Sequence, residues 1–140
     1  MTMDVTAQNK AVVIRFNREF IEKGDMNAFT ELVADDVVNH AAPSGTPNGP
    51  ESMVNFILHI LRAGFSNIKV DIYEQVAERD LVTSRKKITG IHTGSIFGIP
   101  ASNKHVVIHV IDMIRIKNGK YAEHWGISNF SEVLAQIAAS

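Results

Sequence analysis

The sequence predicts an α+β fold, with helices first and a curved antiparallel sheet after them. Up to residue 64 the apolar side chains recur at helical spacing, whereas from residue 67 apolar and polar side chains alternate as in strands. This change of period occurs once, and 140 residues are a usual length for one domain, so residues 1–140 are expected to form a single domain. Helices packed on one face of a curved sheet would leave an interior pocket between the two layers.

Three helices are predicted before the sheet. The first spans residues 8–23, where apolar side chains share one face, and Gly24 follows its last turn. A short second helix is expected over residues 26–34. After it, a short strand runs into a loop rich in Pro and Gly, and Pro50 then suits the first turn of a third helix over about 50–64.

Four long strands are predicted after the helices. Arg79-Asp80 is a turn signal, and Asn118-Gly119 is the preferred sequence of a two-residue hairpin. The strands comprise residues 68–78, 81–94, 105–116 and 120–128. Residues 130–140 are expected to form a short helix or a frayed end.

Composition and charge exclude several classes of function. With 14 Lys and Arg against 15 Asp and Glu, the chain has no basic footprint for nucleic acid or for an acidic membrane. It has no cysteine, which excludes disulfides, thiolate catalysis and Cys-ligated metals. Residues 1–10 lack the pattern of a signal peptide, and no run approaches the ~20 apolar residues of a membrane span. We therefore expect a cytoplasmic protein that binds neither nucleic acid nor membrane.

Asp112 interrupts an otherwise aliphatic row in the strand that precedes the Asn-Gly hairpin. The even-numbered positions from Val106 to Ile116 are all aliphatic except Asp112, so this row is expected to face the core. Burial disfavours the charged form of a carboxyl group, so we expect a raised pKa and a role as general acid–base. The alternative is that Asp112 accepts hydrogen bonds from the backbone or from a Trp indole and only completes the core.

The hairpin predicts which side chains lie beside Asp112. In a type I′ turn at Asn118-Gly119, Lys117 pairs with Lys120, and counting back places Asp112 opposite Trp125. By the same count Glu123 also points inward and His124 points outward. A longer turn or a bulge would reverse these facings.

Histidines supply the other polar candidates. His40 lies at a predicted strand end before the Pro- and Gly-rich loop, and His92 lies between Gly90 and Gly94. Each could donate a hydrogen bond to a ligand oxygen or be an ordinary loop histidine. No spacing of His and carboxylates is typical of a metal site, so no metal is predicted.

A short basic run lies in the second predicted long strand. Alternation places Lys86 on one face and its neighbours Arg85 and Lys87 on the other. We interpret all three as solvated strand charges.

Three segments together resemble a known family. They read "FNREFIEKGDMNAFTELVADDVVNHAAP", "GIHTGSIFGIP" and "VIDMIRIKNGKYAEHW", and the likeness extends over about residues 10–130. They resemble the SnoaL-like polyketide cyclases, a branch of the NTF2-like (cystatin-like cone) superfamily. The resemblance implies three helices on a curved, mixed-to-antiparallel sheet around an apolar pocket. It also implies a cofactor-independent intramolecular aldol ring closure with a buried Asp as acid–base, which corresponds to Asp112.

The resulting hypothesis is a small cyclase or isomerase that needs no cofactor and acts on an apolar carbonyl compound. Its predicted catalytic residues are Asp112 and His92, and its predicted substrate-binding residues are His40, Trp125, Phe56, Phe97 and Glu123. The alternatives are a non-catalytic module for small-molecule binding or assembly, and a related isomerase, dehydratase or hydrolase. An open cavity and a raised pKa at Asp112 would favour the enzyme, whereas a salt-bridge partner would favour the binding module.

The odd-numbered row of the predicted strand 105–116, which also carries Asp112, predicts self-association. This row, with Ala122 and His124, forms a partly apolar sheet face that no predicted element covers. Such a patch usually marks an interface, so a homodimer through the sheet is expected.

Overall fold

The computed structural model describes residues 4–139 and confirms the α+β fold. The first helix, Val5–Arg15, continues as a π-helix over Phe16–Ile21, and the second helix is Met26–Leu32. The third helix comprises Pro50–Val54, a π-helical stretch Asn55–Leu61 and a last turn Arg62–Gly64, and a C-terminal helix spans Phe130–Ala138. The strands are β1 Val33–Asn39, β2 Phe65–Glu78, β3 Leu81–His92, β4 His105–Lys117 and β5 Lys120–Ser128.

The five strands form one mixed sheet in the order β1-β5-β4-β3-β2. β1 runs parallel to β5, and the remaining neighbours are antiparallel. Bulges interrupt the ladders of β2 with β3 and of β4 with β5, and such bulges bend strands and increase their twist. The sheet therefore curves around the helices.

The core lies between the helices and the inner face of the sheet. Phe16 of the first helix stacks on Tyr121 of β5 with ring centroids 4.4 Å apart, and Phe20 and Phe29 pack beside them. The C-terminal helix also contributes, because Val133 and Ile137 are buried. Of the two possibilities for the chain end, the helix is therefore the one observed.

Element ends differ from the prediction where a helix cap or a tertiary contact acts. The first helix begins at Val5, because the Asp4 carboxylate accepts a hydrogen bond from Ala7 N–H at 2.9 Å. The second helix ends at Leu32, because Val33 already pairs with Tyr121 in the sheet. None of the helices in residues 4–139 is long and apolar enough to cross a membrane.

The predicted facing of β4 is confirmed, but the predicted register of β5 is wrong beyond the turn. Lys117 pairs with Lys120 and Ile116 with Tyr121, as the hairpin predicts. A bulge then adds one residue to β5, so Asp112 lies opposite Gly126 instead of Trp125. His124 therefore points inward, whereas Glu123 and Trp125 point to the outer face.

Candidate active site

A buried ion pair lies on the inner face of the sheet. Lys86 Nζ is 3.0 Å from Asp112 Oδ2, and the two side chains are only 4% and 7% exposed. Because Asp112 pairs with Ser84, Lys86 is its diagonal neighbour on the same face of the sheet. The interpretation of Lys86 as a solvated charge is therefore wrong.

Asn17 holds the lysine from the helical layer. Its Oδ1 accepts a hydrogen bond from Lys86 Nζ at 2.7 Å, and its Nδ2 donates to the Val13 carbonyl at 2.8 Å. Asn17 is fully buried within the π-helical stretch of the first helix, and such stretches occur frequently at functional sites. The sequence contained a signal for it, because Asn17 stands four residues after Val13 on the apolar face of the helix.

His124 lies on the other side of Asp112. Its Nε2 is 3.8 Å from Asp112 Oδ2, and its Nδ1 is 2.8 Å from Asn39 Oδ1. Asn39 Oδ1 also accepts from Ala41 N–H, so it is an acceptor, and His124 Nδ1–H is the donor. Gly126 makes room for this ring, since a Cβ at that position would lie 3.3 Å from His124 Nε2.

Electrostatics keep Asp112 ionised. Burial by itself would raise the pKa of its carboxyl group, but the Lys86 ammonium and the His124 side chain outweigh burial and lower the pKa to about 2. The expected raised pKa is therefore wrong, because the sequence could not show that a cation lies beside the carboxylate. Burial raises the pKa of Tyr121 well above its ordinary value, and the negative charge of Asp112 adds to this effect.

Asp112 Oδ1 is a buried acceptor without a hydrogen-bond partner among the residues that the structure describes. Its other oxygen, Oδ2, faces Lys86 Nζ and His124 Nε2, whereas no described residue donates to Oδ1. Buried carboxylate oxygens are almost always hydrogen-bonded, so an unpartnered one needs an explanation. A bound donor or a reacting proton would supply the missing partner.

His92 is fully buried but far from Asp112. Asp112 pairs with Ser84, eight residues before His92 on β3, which corresponds to roughly 26 Å of strand. Ser102 N–H donates to His92 Nδ1 at 3.1 Å, so the proton of the neutral ring is on Nε2, which has no partner in the described part of the chain. The structure thus shows a second unpartnered polar atom but does not bring the two predicted catalytic residues together.

His40, Glu123 and Trp125 form a cluster on the outer face. The His40 ring stacks on Trp125 with centroids 4.8 Å apart, and His40 Nε2 is 2.9 Å from Glu123 Oε2. Arg115 Nε donates to Glu123 Oε1 at 2.8 Å, and its Nη1 donates to Asp80 at 2.8 Å. The hydrogen bonds of His40 and Arg115 lower the pKa of Glu123. These three predicted substrate-binding residues are brought together, but not beside Asp112.

Residues 11–137 match the family model of the SnoaL-like polyketide cyclases. The chain belongs to this family. IdmH from Streptomyces antibioticus, a proposed polyketide cyclase, is 26% identical with a TM-score of 0.81, over 94% of this chain and 99% of that one. TsrD from Streptomyces laurentii is 22% identical with a TM-score of 0.83, over 99% and 100% of the two chains. Membership of the SnoaL-like family supports a cyclase- or isomerase-type role.

More distant relatives share the fold alone. An LEH-like epoxide hydrolase of M. tuberculosis is 12% identical with a TM-score of 0.70, over 97% of this chain and 89% of that one. No curated protein matches the chain. The SnoaL-like fold is thus confirmed, and the reaction has to be argued from the side chains.

The described cavities of this SnoaL-like chain lie at its surface. One, of about 370 Å³, lies between the sheet and the start of the C-terminal helix, and its lining includes the outward-pointing Tyr73 and Ile111 and also Lys86 of the ion pair. The other, of about 440 Å³, lies between the third helix and the start of β2. Neither is lined by Asp112 or His92, so an interior pocket stays a prediction.

Phe56 and Phe97 lie outside the sheet that carries Asp112. Phe56 packs edge-to-face on Phe130 with centroids 5.4 Å apart, and Phe97 lies in the loop between β3 and β4 and is mostly exposed. Their role in substrate binding stays a prediction. In residues 4–139 no group of three or more metal-ligating side chains is arranged around a common point.

Proposed function

We propose that this SnoaL-like protein catalyses a cofactor-independent proton transfer that closes or isomerises a small carbonyl compound, with Asp112 as the acid–base. The observation that carries the proposal is Asp112 Oδ1, an ionised carboxylate oxygen that is buried and has no hydrogen-bond partner within residues 4–139. A base held in a water-poor site with one free lone pair is prepared to accept a proton from carbon. We also propose that the protein is located in the cytoplasm.

The neighbours of Asp112 orient it for this role. Lys86 and His124 both face Oδ2, so they fix the carboxylate while Oδ1 stays free. The His124 side chain is 21% exposed and marks the end of the cluster that is open to solvent. We propose that substrate enters past His124 and the adjoining loop at residues 40–49.

A non-catalytic binding module is the second candidate, and the Lys86 ion pair is the observation that favours it. A carboxylate whose pKa is about 2 is a weak base at neutral pH, and a tight ion pair is also what a structural role requires. In that case Asp112 Oδ1 would only accept a hydrogen bond from a bound ligand.

Deuterium exchange into a 1,3-diketone distinguishes the two candidates. We expect the protein to accelerate exchange of the central CH₂ protons of benzoylacetone in D₂O, measured by NMR. Asp112→Asn should lower the rate by ~10²–10⁴, the usual effect of losing a general acid–base.

Asp71→Asn is the matched control, because Asp71 is an exposed aspartate on β2. It should exchange the diketone at the wild-type rate. Binding of benzoylacetone with no acceleration above buffer would support the binding module and contradict the enzyme.

Self-association through the outer face is a further expectation. Val107, Ile111, Met113 and Ile127 expose apolar surface on the outer rows of β4 and β5, with Ile127 73% exposed. We propose a homodimer through this face. Light scattering of the wild type should give twice the monomer mass. The Ile127→Glu variant should have the mass of a monomer, because a charge is placed in the apolar face. Val5→Glu, at an exposed apolar residue of the first helix, should leave the mass unchanged. A wild-type monomer at tens of micromolar (roughly the range in which weak dimers persist) would contradict the dimer.

A further inference from the structure

We propose that Lys86 is a catalytic residue that stabilises the negative oxygen formed on the substrate when Asp112 takes the proton. This inference rests on the proposed function and names its substrate class: carbonyl compounds that can form an enolate. Lys86 was not among the residues that the sequence singled out for chemistry.

The unused hydrogen-bonding positions of Lys86 and Asp112 match the two reacting atoms of such a substrate. An ammonium group has three N–H donors, and Lys86 Nζ uses two of them on Asn17 Oδ1 and Asp112 Oδ2. The third donor has no acceptor among residues 4–139, and Asp112 Oδ1 has no donor. In an enolisable ketone, the carbonyl carbon alone lies between the carbon that loses the proton and the carbonyl oxygen. In the same way, the carboxyl carbon alone lies between the two oxygens of Asp112.

The step balances in charge as well as in atoms. The C–H bond next to the carbonyl breaks, its proton forms an O–H bond with Asp112 Oδ1, and its electron pair moves through the carbonyl to the oxygen. Asp112 becomes neutral while the substrate oxygen becomes negative, and Lys86 exchanges one anionic partner for the other. At no point does a buried charge lose its counter-charge, which is the condition for charge transfer in a dry site.

This role also resolves the weakness of Asp112 as a base. Lys86 attracts the carboxylate of Asp112 before the step and the enolate oxygen after it. The free energy of the proton transfer is therefore less unfavourable than the low pKa of Asp112 in the substrate-free protein indicates. Buried ion pairs add little net stability compared with apolar residues, so stability alone does not account for a buried lysine at this position.

Lys86→Met gives opposite results for a catalytic and a merely structural lysine. Without its cation, Asp112 becomes a stronger base, so a structural Lys86 predicts equal or faster benzoylacetone exchange at a pH where Asp112 is ionised. An enolate-stabilising Lys86 predicts a rate about 10²–10³ lower over the whole pH profile, as for loss of an oxyanion donor. Lys69→Met, at an exposed lysine on β2, should keep the wild-type rate.

Asp112→Asn provides a second test that does not need the Lys86 variant to fold. With its carboxylate partner removed, Lys86 should bind the benzoylacetone enolate at least about tenfold more tightly than wild type, measured from the ultraviolet absorbance of the bound enolate. Unchanged affinity in Asp112→Asn, or a retained exchange rate in Lys86→Met, would overturn the inference.

The outcomes separate the inference from the proposed function. If wild type accelerates exchange and Lys86→Met does so equally, Asp112 is the acid–base and the role of Lys86 is wrong. If wild type accelerates nothing while Asp112→Asn binds the enolate more tightly, the enzyme is wrong but the anion site at Lys86 is supported.

Discussion

Asp112→Asn should unfold more easily than wild type at neutral pH, by about 3–5 kcal/mol, the usual effect of removing one partner of a buried ion pair. The amide keeps the shape of the side chain but leaves the Lys86 ammonium without an anion in a site where it is only 4% exposed. Asp112→Leu combined with Lys86→Met should recover much of this loss, because no unpaired charge is then buried.

The pH dependence of this difference follows from the lowered pKa. The pKa of Asp112 is about 2 in the folded protein against an ordinary 3.8, so the carboxylate stabilises the fold above about pH 4. As pH falls from about 4 to 2, the folded carboxylate is protonated and about 2 kcal/mol of stability is lost. The gap between wild type and Asp112→Asn should therefore narrow in acid.

Urea denaturation at pH 7 and pH 3 measures both effects. Asp71→Asn should unfold like wild type at neutral pH, because that carboxylate is exposed. An Asp112→Asn protein as stable as wild type at pH 7, or more stable, would contradict the ion pair and would indicate a carboxyl group with a raised pKa.

Gly94→Ala should lower the free energy of unfolding by about 3 kcal/mol or more, because the added methyl group overlaps neighbouring backbone atoms. A Cβ on Gly94 would overlap the Ala63 carbonyl oxygen, and this neighbour is backbone that cannot rotate away. Thr93 and Gly94 N–H both donate to the Gly64 carbonyl, at 3.2 and 3.1 Å, so the loop and the end of the third helix would have to separate. The end of β3 that carries His92 would move with them.

Thermal unfolding of Gly94→Ala and Gly49→Ala provides the comparison. In Gly49→Ala the nearest atoms belong to the flexible Glu51 side chain, so the loss should be limited to about 1 kcal/mol, because Gly49 is the N-cap of the third helix and Ala is a poorer cap. Gly94→Ala should melt about 10 °C lower, given a few degrees per kcal/mol for a chain of this size. Equal melting temperatures would show that the two backbone segments do not approach so closely.

Local sequence determined the elements of this protein. The change from helical to alternating period produced the order of helices and strands, because each period follows from backbone geometry within a few residues. Asn118-Gly119 set the hairpin turn, since both residues adopt a positive φ that Asn and Gly tolerate. The inward row of β4 followed from alternation alone, and it isolated Asp112 correctly.

Tertiary structure decided what surrounds Asp112. The bulge in β5 exchanged the facings of Trp125 and His124, and the sequence gives no measure of whether an extra residue will enter a ladder after a turn. In the folded chain His124 is held inward by Asn39 from β1, a strand more than eighty residues away.

The charge state of the site depended on contacts across the whole chain. Alternation placed Lys86 on one face of its strand, but only the pairing of β3 with β4 set it beside Asp112, and only the first helix brought Asn17 to its ammonium. A pKa depends on which charges are within a few ångströms, and that proximity arises from non-local packing. The sequence therefore identified the carboxylate, whereas its ionisation and its partner were determined by the fold.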